Sequence, residues 1–251
     1  MRVLKYGLAG FVVYLLFLLA NVPAAWIWKL APKPPGVAIS GIDGTLWQGQ
    51  IGQLNVADRQ LENIHWILSP AQLLTATAAL DFRIEDSVVQ AQGAVQYGLG
   101  GLAAENLRFS APLGWLVGDT RLPLRTELSG GVTLNVRQLE QGQPWCEQLN
   151  GRLLITGLDV RNQFGHYPLG DLAGSLACQQ GNAQLSVDEA ENRIGVQGEA
   201  LLLADNQVKL AATIRETDEQ PTDLRQALMF LGQPDSSGAY PLNYNGVIPG
   251  L

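Results

Sequence analysis

Gly130-Gly131-Val132-Thr133-Leu134-Asn135-Val136 decides the fold: apolar Val132, Leu134 and Val136 alternate with polar Thr133 and Asn135. Successive strand side chains point to opposite faces, so this run makes one apolar face and one wet face. The alternation recurs along the chain. Ala183, Leu185 and Val187 alternate with Gln184 and Ser186. Val208, Leu210, Ala212 and Ile214 make another such run, and Tyr240, Leu242, Tyr244, Gly246 and Ile248 the last. Gln180-Gly181-Asn182 and Asp205-Asn206 punctuate them with the residues that tight antiparallel hairpins use.

A pattern of apolar, any, Gly, any, apolar surrounds Gly44, Gly93, Gly130, Gly151, Gly174, Gly198 and Gly246. From Gly130 to Gly198 the steps are 21, 23 and 24 residues, about one hairpin each. Strand glycines let a sheet bend or let backbones approach closely. The expected fold is mainly β: an elongated, curled antiparallel sheet of repeated hairpins. Three short helices complete it. Ser69 and Pro70 open one over 69–74, and Pro112–Val117 supplies a turn of another. Thr222–Leu231 is the third, with Thr222 as N-cap, Leu224, Leu228 and Leu231 on one face and Gly232 as terminator.

Residues 6–28 carry no charge, from Tyr6 through Phe11, Leu15 and Leu19 to Trp28. Such a run is long enough to cross a hydrocarbon core of about 30 Å as one helix. Arg2 and Lys5 precede it and Lys29 and Lys33 follow, so flanking charge barely orients it. The short N-terminal flank favours a cytoplasmic tip and a large domain across the membrane, with Trp26 and Trp28 at the outer interface. The expected organisation is a tip over 1–5, a transmembrane helix over 6–28, a proline-rich linker over 29–36 and one β domain over 37–251. A cleaved signal peptide is the rival reading, with small residues at Asn21-Val22-Pro23-Ala24-Ala25. Trp26-Ile27-Trp28 would then be left as a greasy new N-terminus, which favours the uncleaved anchor. Either way the β domain is exported.

From residue 34 onward 12 basic residues face 23 acidic ones, a net charge near −11. An acidic domain repels nucleic acid, so no nucleic-acid partner is expected. Cys146 and Cys178 are the two cysteines. In an oxidising compartment they read most simply as a disulfide, with two buried thiols as the other option.

Catalytic and metal-ligating patterns are sparse. His65 and His166 stand far apart without metal-ligand spacing, His65 in a strand-like run and His166 in the turn 164–168. No Gly-x-Ser-x-Gly, Ser-x-x-Lys or His-Glu-x-x-His occurs. Gly98-Leu99-Gly100-Gly101-Leu102-Ala103 fits a dinucleotide fingerprint, but Phe109 and Pro112 arrive too soon for the helix that fingerprint needs. A hairpin loop explains it better. No catalytic residue, cofactor or metal is expected, and the chain reads as a non-enzyme.

Directly after the anchor and linker comes Ile42-Asp43-Gly44-Thr45-Leu46-Trp47-Gln48-Gly49, followed by Trp66, Leu68, Pro70, Leu73 and Leu74. This order resembles the type II secretion system protein N family (general secretion pathway protein N), and more distantly AsmA-like envelope proteins. The likeness runs nearly end to end. Its parts are the short anchor, Gly44-Thr45-Leu46-Trp47-x-Gly49, Trp66-x-Leu68-x-Pro70-x-x-Leu73-Leu74, the middle hairpins, Leu231-Gly232, and Gly238-x-Tyr240-x-Leu242-x-Tyr244-x-Gly246.

The resemblance implies an inner-membrane accessory protein of the machine that moves folded proteins from periplasm across the outer membrane. Its C-terminal domain would lie in the periplasm. Its partners would be other secretion components, of the inner-membrane platform or the outer-membrane channel. The motif residues are expected to be structural, with Trp47 packed beneath the start of the sheet. The likeness to AsmA-type proteins implies the alternative function, a lipid-binding or lipid-transfer groove.

Overall fold

The structure, a computed structural model, describes residues 2–32, 35–56, 59–118, 126–163 and 165–247. Met1 of the expected tip, Lys33 and Pro34 of the linker, Phe164 beside His166 and Ile248 of the last alternating run lie outside the described residues. Thirteen antiparallel strands follow one another in chain order, each beside its sequence neighbour. The expected hairpin architecture is therefore what forms. The chain divides into two compact units where the sequence suggests one β domain: Met1–Ser87 with Ala94–Leu99, and Val88–Gly93 with Gly100–Leu251.

The first unit begins with helices, and here the expectation is corrected. The single helix over 6–28 is two: α1 (Arg2–Ala20) and α2 (Ala24–Leu30). Proline lacks an N–H and disfavours helical backbone in the residue before it, so the chain breaks at Pro23. Asn21 closes α1, its side-chain amide donating to the Phe17 carbonyl at 2.8 Å. The expected linker also shortens, because α2 runs to Leu30. Among residues whose side chains are described, no helix is long and apolar enough to cross a membrane.

Strands β1 (Val37–Gly44), β2 (Gln48–Val56), β3 (Arg59–Leu68) and β4 (Ala78–Glu85) follow. Gly44 pairs with Gly49, Gly49 with Trp66, and Leu68 with Leu80. These pairs put the β1–β2 turn and the β3–β4 connection at the same end of the unit. That connection carries the expected short helix α3 (Pro70–Leu73), with Ser69 before it.

In the second unit the two-faced sheet is explicit. Strands β6 (Gly101–Pro112), β7 (Glu127–Gln141), β8 (Cys146–Asn162), β9 (Gly165–Gln179), β10 (Asn182–Val187), β11 (Val196–Leu202), β12 (Gln207–Arg215) and β13 (Ala239–Val247) pair in succession. One cross-strand row reads Leu107, Val136, Gly151, Leu176, Leu185, Ala200, Leu210, Tyr244. The next row along reads Arg108, Asn135, Arg152, Ser175, Ser186, Glu199, Ala211, Asn243. Period two along each strand thus becomes one apolar and one mostly polar face.

Val132, Val136 and Ile214 are buried on the apolar face. A repeat glycine shows its purpose there: a Cβ on Gly174 would lie 2.7 Å from Leu185 Cδ1, so Leu185 crosses the space a side chain would fill. Gly98–Gly101 joins β5 (Gln90–Gly98) to β6 as a turn with no helix behind it. Helix α4 (Leu113–Val117) matches its expectation. Helix α5 (Thr222–Leu228) differs from its expectation at both ends: Pro221 is the N-cap and Thr222 the first helical residue, and past Leu228 the chain tightens into a 3₁₀ turn, Met229–Leu231, before Gly232. Proline has no N–H to contribute to the helix, and its extended backbone sets the entry to it.

Candidate functional site

Cys146 and Cys178 form a disulfide between β8 and β9. The pair sits where the β7–β8 connection folds over the β9–β10 turn. The Trp145 and Cys146 amides both donate to the Gly181 carbonyl, at 3.0 and 3.1 Å. The Trp145 indole N–H donates to the Leu203 carbonyl at 2.7 Å. The bridge thus braces a loop across several strands.

Neither histidine belongs to a constellation. His65 lies on β3 opposite Gln50 and Arg83. His166 is on β9, in a strand rather than the expected turn, and its Nε2 meets Asp159 Oδ2 at 2.5 Å on an exposed face. Among the described residues, no group of three or more His, Cys, Asp or Glu side chains is placed to hold a metal ion.

The motif residues Gly44 to Gly49 do converge, at the break between α1 and α2. The β1–β2 turn places Thr45 opposite Pro23 as a one-residue bridge. The Leu46 amide donates to the Val22 carbonyl at 2.8 Å. The Trp47 indole N–H donates to the Leu19 carbonyl at 2.8 Å. The last carbonyls of a helix have no partner within it, so Trp47 satisfies one that α1 would leave open. The expectation for Trp47 is thereby corrected: it is half-buried and reaches out to the helix, rather than lying beneath the sheet.

The second motif backs the first. Trp66 Nε1 donates to the Leu46 carbonyl at 3.2 Å, and the Leu68 amide to the Trp47 carbonyl at 2.6 Å. Both glycines are required by this packing. Gly44 has φ +99°, and a Cβ there would stand 2.5 Å from the Gln48 carbonyl oxygen. A Cβ on Gly49 would stand 2.5 Å from Trp66 Cζ2. Pro70 starts α3 beside this cluster, whereas Leu73 and Leu74 do not join it: they are 41% and 90% exposed. Sequence reasoning missed Leu19, Val22 and Pro23, the other half of the junction. Pro23 inside an apolar run was the available signal.

The arrangement has the character of a mechanical joint. Backbone and indole hydrogen bonds fasten the end of an apolar helix to the first hairpin of a sheet.

The family described as type II secretion system (T2SS), protein N, matches residues 35–243. The chain is 33% identical over 241 residues to the type II secretion system protein N of Aeromonas hydrophila, covering 94% of this chain and 95% of the relative. It is 28% identical over 248 residues to the protein of that name from Vibrio cholerae, covering 98% of each. The counterpart from Pectobacterium carotovorum is 22% identical over 240 residues, 96% of this chain and 95% of the relative. No solved structure matches the chain. With a family match over most of its length and a full-length relative above 30% identity, the chain belongs to the type II secretion system protein N family.

Proposed function

We propose that the chain is a non-enzymatic, inner-membrane-anchored scaffold of the type II secretion system, with its β units in the periplasm. Family membership supports a role as a component of that machinery. The observation that carries the anchor is the bareness of α1: every side chain from Phe11 to Leu19 is 46–65% exposed. A helix that is apolar all round needs apolar surroundings. The α1 backbone, 19 residues long, spans about 28 Å, close to a hydrocarbon core. Lys5 would then reach the cytoplasmic headgroups, as long basic side chains near helix ends do.

For the scaffold, β13 offers the means. Among the described residues it pairs with β12 alone, so its outer edge presents backbone groups to a further strand. Exposed Phe230 and Met229 lie in the turn of helix that precedes it. The partners are other secretion components, of the platform or the outer-membrane channel. A photocrosslinker in place of Tyr244, which is 49% exposed, tests this in secreting cells. Adducts with secretion components are expected. Their absence from cells that secrete normally would overturn the scaffold.

A second reading, a lipid-binding groove, draws support from the apolar row on β6–β13. Leu107, Leu176, Leu185 and Leu210 are each only half-buried there. Phospholipid co-purifying in stoichiometric amount with the full chain, and depleted by Leu185→Gln, would favour it.

A further inference from the structure

The geometry points to a second membrane contact, in which the α1-proximal end of the first unit rests on the bilayer surface through Leu73, Leu74 and Leu99. This inference rests on α1 being the membrane anchor.

Three connections meet at that end. The β1–β2 turn is tied to Leu19 through Trp47. The β3–β4 connection follows Leu68, whose amide bonds Trp47. The end of β5 lies against that connection, since a Cβ on Gly98 would stand 3.1 Å from Thr77 Oγ1. Leu74 is 90% exposed and Leu99 98%, both at the tips of these connections, with Tyr97 at 64% nearby. The described residues leave Leu74 and Leu99 almost wholly uncovered.

The connections at this end, residues 44–49, 69–77 and 97–99, carry no charge, and Asp43 and Asp81 stand one rung in from them. The opposite end carries Arg59, Glu62, Glu85 and Asp86. Anionic headgroups would repel an acidic surface, whereas uncharged connections bearing leucines can seat those side chains at the headgroup boundary. Continuity with α1 selects the bilayer as occupant: wherever α1 leaves the hydrocarbon, this end is the part of the sheet fastened to it. The helix and this end together would fix the tilt of the first unit.

The test uses the full chain in vesicles of phosphatidylethanolamine and phosphatidylglycerol. Both native cysteines are in the disulfide, so Leu74→Cys, Leu99→Cys, Leu16→Cys and Val56→Cys each supply one reactive thiol for an environment-sensitive dye. Val56 lies at the far end of β2, about 26 Å from Gln48. Dye at 74 and 99 should emit to the blue of dye at 56, and nitroxide-labelled lipid should quench it. Emission at 74 and 99 as water-like as at 56, with position 16 lipid-like, would overturn the surface contact and leave the anchor standing. Water-like emission at position 16 would overturn the anchor itself, and the inference with it.

Discussion

The indole N–H of Trp47 donates to the backbone carbonyl of Leu19 at 2.8 Å, across 28 positions of sequence. A side chain of the first hairpin thereby closes the end of the N-terminal helix. Hydrogen bonds of this kind contribute about 1 kcal/mol net. Trp47→Phe keeps most of the ring and loses the donor, so it should destabilise the chain by about 1 kcal/mol. Trp47→Ala also loses the half-buried ring and should cost about 2–3 kcal/mol. Urea unfolding of the full chain in detergent measures both. Equal stability of Trp47→Phe and the native chain would remove the cap from the account.

Gly49 and Gly52 offer a paired test on one strand. A Cβ at Gly49 meets Trp66 at 2.5 Å, whereas at Gly52 the nearest atom stands at 3.6 Å. Overpacking typically costs 1–3 kcal/mol, so Gly49→Ala should lower stability by about 2 kcal/mol or more. Gly52→Ala should fall within about 0.5 kcal/mol of the native chain. Unfolding midpoints of the two variants give the answer directly.

Reduction of the Cys146–Cys178 bridge releases a loop of 32 residues in the unfolded chain. Chain entropy assigns such a cross-link about 3–4 kcal/mol. The double variant Cys146→Ala with Cys178→Ala should unfold at correspondingly lower urea. A mass lower by two protons than that of the reduced chain confirms the bridge in protein purified without reductant.

Asp235 introduces a pH dependence. Its carboxylate accepts from the Ser237 hydroxyl at 2.6 Å and from the Ala239 and Ser237 amides, and these bonds hold its carboxyl below the ordinary range. The folded-state value is the lower one, so the contribution to stability is present above the unfolded value and is lost as pH falls through the folded one. Titration of Asp235 by NMR should show the depression, and Ser237→Ala should relieve part of it.

Much of the sheet was legible because period two is a local signal. Strands β7, β10, β12 and β13 fall where Val132, Leu185, Leu210 and Leu242 alternate with polar neighbours. The positions of α3 to α5 followed from proline and leucine spacing. The helix break was misread because hydropathy treats 6–28 as continuous, although Pro23 interrupts the backbone within it. The Trp47–Leu19 bond was invisible, since it depends on where the chain returns after β1, which no local pattern encodes. The division into two units was equally hidden, because the glycine-rich stretch at its boundary, Gly98–Gly101, reads as one more hairpin loop.

The central claim is that tethering to the inner membrane is needed for the chain's part in secretion. Type II secretion in a strain lacking its own copy tests this most directly, comparing the full chain with one in which residues 2–20 give way to a cleaved signal peptide. At equal periplasmic levels of folded β units, the full chain should restore export of cargo to the medium and the untethered chain should not. Equal export by both would contradict the account.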